Sequence, residues 1–285
     1  MSQVMIVTDS TAYIPEEILR GLPVRIVPLQ VIWGEEQFRD GVDILPTEFY
    51  ERLKTAEVMP STSQTTPATF IELYSKLNSE GYDILSMHIS EKLSGTIDSA
   101  VQARTTLGLD NLIIFDSEAS GMALGFQVLA VARAAANGAS LNECLKIAEK
   151  ARSQTGILFA VRTLEFLHRG GRIGGAAAFL GTMLNLKPIL ELRNGKIESI
   201  DKVRTMNKAL DRIVEIMMEK VDEHFPVRVS VQHANAYQEA EQLLERIQSK
   251  FPDGQLAETM ISEVSPVIGT HTGPGLLGIS YMFGM

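Results

Sequence analysis

Residues 83–115 read DILSMHISEKLSGTIDSAVQARTTLGLDNLIIF. Asp83–Ile89 (DILSMHI) and Asn111–Phe115 (NLIIF) are apolar runs of strand length, and Ser94–Leu107 between them has a helical pattern. Strand, helix and strand in this order predict the crossover unit of a parallel sheet. The alternation continues in both directions. Upstream, Val4–Thr8 (VMIVT) reads as a buried strand ending at Asp9-Ser10-Thr11, before a short helix opened near Pro15. Val24–Trp33 is a second β-rich run, and Pro67–Asn78 is helical. Downstream, Met122–Asn137 is a long Ala-rich helix. The first half is therefore expected to be a parallel sheet covered by helices on both faces.

The second half has a different rhythm. Gly156–Val161 reads as a strand, followed by the glycine-rich stretch Arg169–Gly175. Pro188–Ile200 carries Asn194-Gly195 between two extended runs, a strong hairpin signal. Thr205–Glu223 and Tyr237–Phe251 are helical, while Val227–Gln232 and Ala257–Val264 are extended. A hairpin among alternating helices suggests a mixed sheet. The expected fold class is thus α/β with two domains: an N-terminal parallel-sheet α/β domain over 1–158, and a C-terminal mixed-sheet α+β domain over 159–285.

Composition narrows the function. At 285 residues, with 45% hydrophobic and 21% charged residues, the chain can bury a substantial core. Its net charge of -9 argues against nucleic acid or an anionic membrane as the main partner, because both need a basic surface. The single cysteine, Cys144, excludes an intrachain disulfide and a Cys-rich zinc site, and it reads as a core residue of the helix Leu141–Arg152. No stretch approaches the roughly 18 apolar residues that span a bilayer. Met1–Asp9 is too short an apolar run for a signal peptide, so a cytoplasmic protein is expected.

Ligands of an open parallel sheet bind beyond the carboxyl ends of its strands. Asp9-Ser10-Thr11, Ser94-Gly95-Thr96 and Asp116-Ser117 all fall there, where Asp, Ser and Thr equally serve as helix caps. Glycine at position 95 would let a ligand approach the backbone. Residues 60–67 (PSTSQTTP) hold five hydroxyls in eight positions, either a capped loop or a set of donors for an anion. His271 stands in Gly269-Thr270-His271-Thr272-Gly273-Pro274-Gly275, read as a turn. The other histidines lack metal-ligand spacing and read as structural or surface residues. Leu167–Gly174 lacks the order of either common nucleotide-binding loop. Arg172 and Arg204 could each steady an anion or be ordinary surface arginines. A hydrolase built on Ser94, His271 and an aspartate lacks the G-x-S-x-G elbow. No metal site is expected.

Taken together these segments resemble the DegV family, which includes the fatty-acid-binding subunit of bacterial fatty acid kinase. The resemblance rests on Thr8-Asp9-Ser10-Thr11-Ala12, Thr62-Ser63-Gln64, Leu93-Ser94-Gly95-Thr96, Arg169-Gly170-Gly171-Arg172-Ile173-Gly174, Lys187-Pro188-Ile189-Leu190 and His271-Thr272-Gly273-Pro274-Gly275, in that order. The resemblance implies an acyl chain buried between or within two domains. Its carboxylate would be met by Thr62, Ser63, Ser94, Gly95, Thr96, His271 and Thr272. Arg172 would stand behind them, and Arg204 would contact a partner. Tyr13, Thr65 and Ile97 depart from the family's usual residues at the motif edges.

The apolar sleeve is expected from segments such as Phe159–Phe166 and Phe179–Ile189, with methionine as an adaptable lining. The implied role is binding without catalysis. The chain would shield a long-chain fatty acid and present its carboxylate to an ATP-dependent kinase subunit for acyl-phosphate formation. Transient contact with a membrane fits that role, and no cofactor is expected beyond the bound acid. The competing readings are a Ser/His hydrolase or transferase and a binder of another anionic lipid.

Overall fold

The computed structural model describes residues 3–179 and 186–285. Its first unit runs β1 (Val4–Asp9), α1 (Glu16–Leu19), β2 (Val24–Val27), β3 (Gln30–Trp33), β4 (Glu36–Arg39), α2 (Pro46–Lys54), β5 (Ser61–Ser63), α3 (Pro67–Ser79), β6 (Asp83–His88), α4 (Thr96–Leu107), β7 (Leu112–Asp116), α5 (Gly121–Ala136) and α6 (Leu141–Ser153). Strands β2, β1, β6 and β7 form a parallel sheet in that order. Alternation along β1 explains its two covered faces. Val4 and Ile6 pack with α5 and α6, whereas Met5 and Val7 pack with Phe70 and Tyr74 of α3 and Ala100 and Ala103 of α4. Cys144 is buried in the first of these layers, as its helix predicted.

The run Val24–Trp33, read as one element, is two strands in different sheets. Proline at 28 has no N–H to continue a ladder, and after it the chain leaves the parallel sheet. β3 then pairs antiparallel with β4 and β5 to form a small three-stranded sheet. The hydroxyl-rich segment therefore contains a strand, with Thr62 opposite Val31.

The second unit runs β8 (Thr155–Ala160), α7 (Glu165–Arg169), β9 (Lys187–Arg193), β10 (Lys196–Val203), α8 (Met206–Val221), β11 (Val227–His233), α9 (Tyr237–Gln248), β12 (Leu256–Glu263), α10 (Pro266–Thr272) and β13 (Leu277–Phe283). Its sheet has the order β10-β9-β8-β13-β11-β12; β11 and β12 are parallel and the other pairs antiparallel. The mixed sheet is as expected, and the boundary expected between residues 158 and 159 falls inside β8. At the β9–β10 turn Asn194 and Gly195 both have positive φ (50° and 76°), the conformation a two-residue hairpin turn demands. Leu158 and Ala160 join α8 and α9 in one core, leaving Ile157 and Phe159 on the opposite face of β8.

Hydrogen bonds fasten the units together. Ser90, just beyond β6, donates to the carbonyl of Gly195 at 2.9 Å, so the hairpin tip lies over the edge of the parallel sheet. Asp40, fully buried, accepts from Ser10 Oγ (2.6 Å), Ser265 Oγ (2.9 Å) and the Val267 N–H (3.3 Å). Burial raises its pKa to about 6 despite those three bonds. This carboxylate thus ties the start of the chain to the entry of α10. No helix among the described residues is long and apolar enough to cross a membrane.

Candidate functional site: a cavity between the two sheets

The loops after β1, β6 and β7 contribute Tyr13, Ser94 and Ser120 to one side of a cavity. This is the carboxyl edge of the parallel sheet, where such folds leave a crevice. The second unit closes the other side with Ile157 and Phe159 of β8, Leu192 and Ile197 of the hairpin, and Val267 and Ile268 of α10. The lining is mostly aliphatic and aromatic with a few polar groups, the composition of small-molecule sites. Of the two segments expected to form the sleeve, Phe159–Phe166 contributes Phe159, while Phe166 packs behind Gly273. Phe179–Ile189 includes residues 180–185, which lie outside the described residues.

Two polar groups of the lining, Thr62 and Arg172, gather at His271. His271 is carried on the last turn of α10, not in a turn as its glycine-rich surroundings suggested. Pro266 at the start of the helix presets φ for the first turn, and the glycine that ends it is Gly273 (φ 72°). His271 Nε2 lies 2.7 Å from Thr62 Oγ1. Its other nitrogen, Nδ1, is buried without a partner and packs against Gly170, where a Cβ would stand 2.1 Å from it. Arg172 donates to the carbonyls of Leu93 (3.1 Å) and Gly170 (2.5 Å). Burial and then the Arg172 charge lower the His271 pKa to about 4, so the ring is neutral at physiological pH.

The remaining expected residues fall into two groups. Thr62, Ser63, Ser94, His271 and Thr272 all line the cavity, and Arg172 lines it directly instead of standing behind the others. Thr96 is fully buried and holds Ser94, the two hydroxyl oxygens lying 2.8 Å apart. Gly95 makes room for the Gln64 side chain, which would stand 3.0 Å from a Cβ there. Thr272 donates back to the Ile268 carbonyl (3.1 Å). Arg204 is exposed between β10 and α8 and is not among the cavity residues. Gln64, Tyr13, Ser120, Gly121 and Gln232 also line the cavity and were not singled out from the sequence as contacts. Gln64 sits inside the quoted Thr-Ser-Gln motif, which was the available signal for it.

The arrangement is poorly suited to nucleophilic chemistry. Ser94 pairs with Thr96, and His271 with Thr62, and no carboxylate orients the free nitrogen of the ring. A Ser–His–Asp chain does exist elsewhere: Ser86 Oγ lies 2.7 Å from His88 Nε2, and His88 Nδ1 lies 3.0 Å from Asp9 Oδ2. All three residues are completely buried, and Ser86 Oγ also pairs with the Tyr74 hydroxyl at 2.7 Å. A substrate has no access to that serine, so the chain is a core network. Asp9 also accepts from the N–H groups of Thr11 and Ile89, consistent with a capping role. Among the described residues, no cluster of His, Cys, Asp and Glu could hold a metal ion.

A family model described as uncharacterised protein, DegV family, matches residues 3–284. The chain belongs to the DegV family. A DegV domain-containing protein of Streptomyces coelicolor is 40% identical over 277 residues, covering 97% of each chain. The structure of DegV from Bacillus subtilis, a fatty acid binding protein, superposes with a TM-score of 0.90 at 38% identity, covering 99% of this chain and 100% of the other. A fatty-acid-binding DegV-family protein from Thermus thermophilus gives 0.92 at 34% identity, with 99% of both chains covered. The parallel sheet followed by a mixed sheet is therefore the DegV fold, and the cavity described above lies between those two sheets.

Proposed function

We propose that this DegV-family chain holds a long-chain fatty acid in the cavity between its sheets. The acid's carboxylate would lie at the Thr62, Ser94 and His271 end. The observation that carries this reading is a cluster of hydroxyls, a neutral imidazole and Arg172 in a cavity lined mostly by aliphatic and aromatic side chains. A fatty acid has the same asymmetry. Each buried methylene contributes roughly 0.8 kcal/mol, so the tail supplies most of the gross affinity, less the costs of ordering and desolvation. The Thr62 and Ser94 hydroxyls would donate to the carboxylate, with Ser63 and Thr272 beside them, and Arg172 would supply compensating charge.

The role that fits this site is carriage. A histidine with a pKa of about 4 is a weak base at neutral pH, and it has no carboxylate to orient it. The chain would shield the acyl tail and present the carboxylate to a separate ATP-dependent kinase. There a carboxylate oxygen would attack the terminal phosphorus of ATP, ADP would leave, and the acyl phosphate would be carried onward. Exposed Arg204 is the candidate contact with that partner. A cytoplasmic location and brief contact with a membrane, where acyl groups are drawn or delivered, belong to the same proposal.

The direct test is to denature purified protein, extract it with organic solvent and analyse the extract by mass spectrometry. Near-stoichiometric fatty acid is expected. An empty extract, repeated after incubation with a panel of fatty acids, overturns the reading. The head-group assignment is checked separately with Ser94→Ala and His271→Ala. Undiminished acyl-phosphate formation by the cognate kinase with both variants would refute it.

A further inference from the structure

Among the described residues, three that line the cavity carry a buried polar atom without a hydrogen-bond partner: His271 Nδ1, the Tyr13 hydroxyl and Gln232 Nε2. The first belongs to the head-group end. The Tyr13 hydroxyl faces Ser265 and Asp40, whose charge adds to burial in raising its pKa. Gln232 has no such explanation. It is 2% exposed, sits on β11 between Ser262 and Gly278 of the neighbouring strands, and its Nε2 has no hydrogen-bond partner among the described residues. An amide buried against an apolar lining without a partner is costly, and natural folds retain one where something completes it.

The surroundings of Gln232 include the start of a helix. The amide abuts Gly121, where a Cβ would stand 2.5 Å from Nε2, so a side chain at 121 would force the amide aside. Gly121 is the first residue of α5, a 16-residue helix whose opening N–H groups have no side-chain cap. Ser120 before it is buried, lines the cavity and makes no capping bond. A helix amino terminus, a serine hydroxyl and a primary amide thus meet on the wall of an apolar sleeve. The helix end favours an acceptor. The amide offers a donor at one end and an acceptor at the other, and a hydroxyl satisfies either.

We infer that Ser120, Gly121 and Gln232 form a second polar subsite, which binds a hydroxyl group carried on the acyl chain and selects hydroxylated long-chain fatty acids over unsubstituted ones. The inference rests on the fatty-acid reading of the cavity. One satisfied hydrogen bond in place of an orphaned amide predicts a preference of roughly five- to tenfold.

The experiment is a competition. The protein is incubated with equimolar octadecanoic acid and one positional isomer of monohydroxyoctadecanoic acid at a time. Retained acids are then extracted and quantified by mass spectrometry. One isomer, with its hydroxyl at the depth of Gln232, should be retained over octadecanoic acid by about fivefold or more. Gln232→Met, similar in length but without the amide, should bring that ratio to about one. Ser120→Ala should lower it, and thermal unfolding checks that each variant is folded. Retention of octadecanoic acid with no isomer preferred overturns the inference and leaves the fatty-acid reading standing. So does a preference unchanged in both variants. Retention of neither kind of acid overturns the fatty-acid reading, and this inference with it.

Discussion

Thr62→Val keeps the shape of the side chain and removes its hydroxyl, which isolates one contact of the head-group site. Thr62 Oγ1 lies 2.7 Å from His271 Nε2, and the ring is neutral because burial and Arg172 lower its pKa to about 4. A neutral imidazole has one N–H. With that proton on Nε2 it donates to Thr62, whose own proton is then free for a carboxylate in the cavity. Valine removes a hydrogen bond to a charged acceptor, worth roughly 1.5–3 kcal/mol. That corresponds to an affinity lower by roughly 10- to 150-fold. It also leaves both ring nitrogens unpaired, since Nδ1 already has no partner. The assay is displacement of a fluorescent fatty acid by octadecanoic acid at neutral pH, with thermal unfolding of the ligand-free variant as the control for folding. If Thr62→Val melts like the wild type and binds within about twofold of it, the Thr62–His271 pair does not hold the head group.

Other expectations follow from the same contacts. Gly170→Ala places a methyl where His271 Nδ1 now sits, 2.1 Å from the new Cβ. Overpacking of this kind costs about 1–3 kcal/mol, so denaturant unfolding should show a clear loss; a change within about 0.5 kcal/mol would mean that the ring moves freely. His271 has a folded pKa of about 4, below its ordinary 6.5, so the unfolded chain binds more protons between those values. Its contribution is present above about pH 6.5 and is lost as pH falls through about 4, by about 3 kcal/mol. Asp40 acts in the opposite sense. Its pKa of about 6 lies above the ordinary 3.8, so its contribution is present below about pH 4 and is lost as pH rises through about 6, again by about 3 kcal/mol. In the wild type the two slopes largely cancel. Chemical denaturation across pH 4–7 should therefore show stability rising with pH in Asp40→Asn and falling with pH in His271→Asn. Parallel profiles for both variants would disprove the assignments.

Much of the framework was legible along the chain because it is local. The periods of β1, β6, β7, α4 and α5 were visible as short apolar runs and helical spacing, and Asn194-Gly195 marked the hairpin through its need for positive φ. The region from 28 to 66 was the least legible. β4 is largely exposed and β5 is three hydroxyl residues long, so neither has an apolar period to read. α2 did leave a signal in Phe49, Tyr50 and Leu53, which share one face and are buried. The glycines around His271 suggested a turn, yet the 269–273 stretch forms the end of a helix because Pro266 and the Asp40 contacts organise its start.

What the sequence determined by itself was the order of elements, the parallel and mixed character of the two sheets, and the gathering of hydroxyls at strand ends. Each follows from hydrophobic period, turn chemistry and capping within a few residues. The tertiary structure decided which of those hydroxyls face one another. Thr62 and His271 are 209 residues apart in sequence, and Asp40 and Ser265 are 225 apart. Their meeting depends on how the second unit covers the carboxyl edge of the first. The polarity of the cavity wall was decided there as well. In β11, Gln232 is one polar residue in a buried strand. Only the approach of α5, with Gly121 leaving space, places its amide in a site where a ligand could complete it.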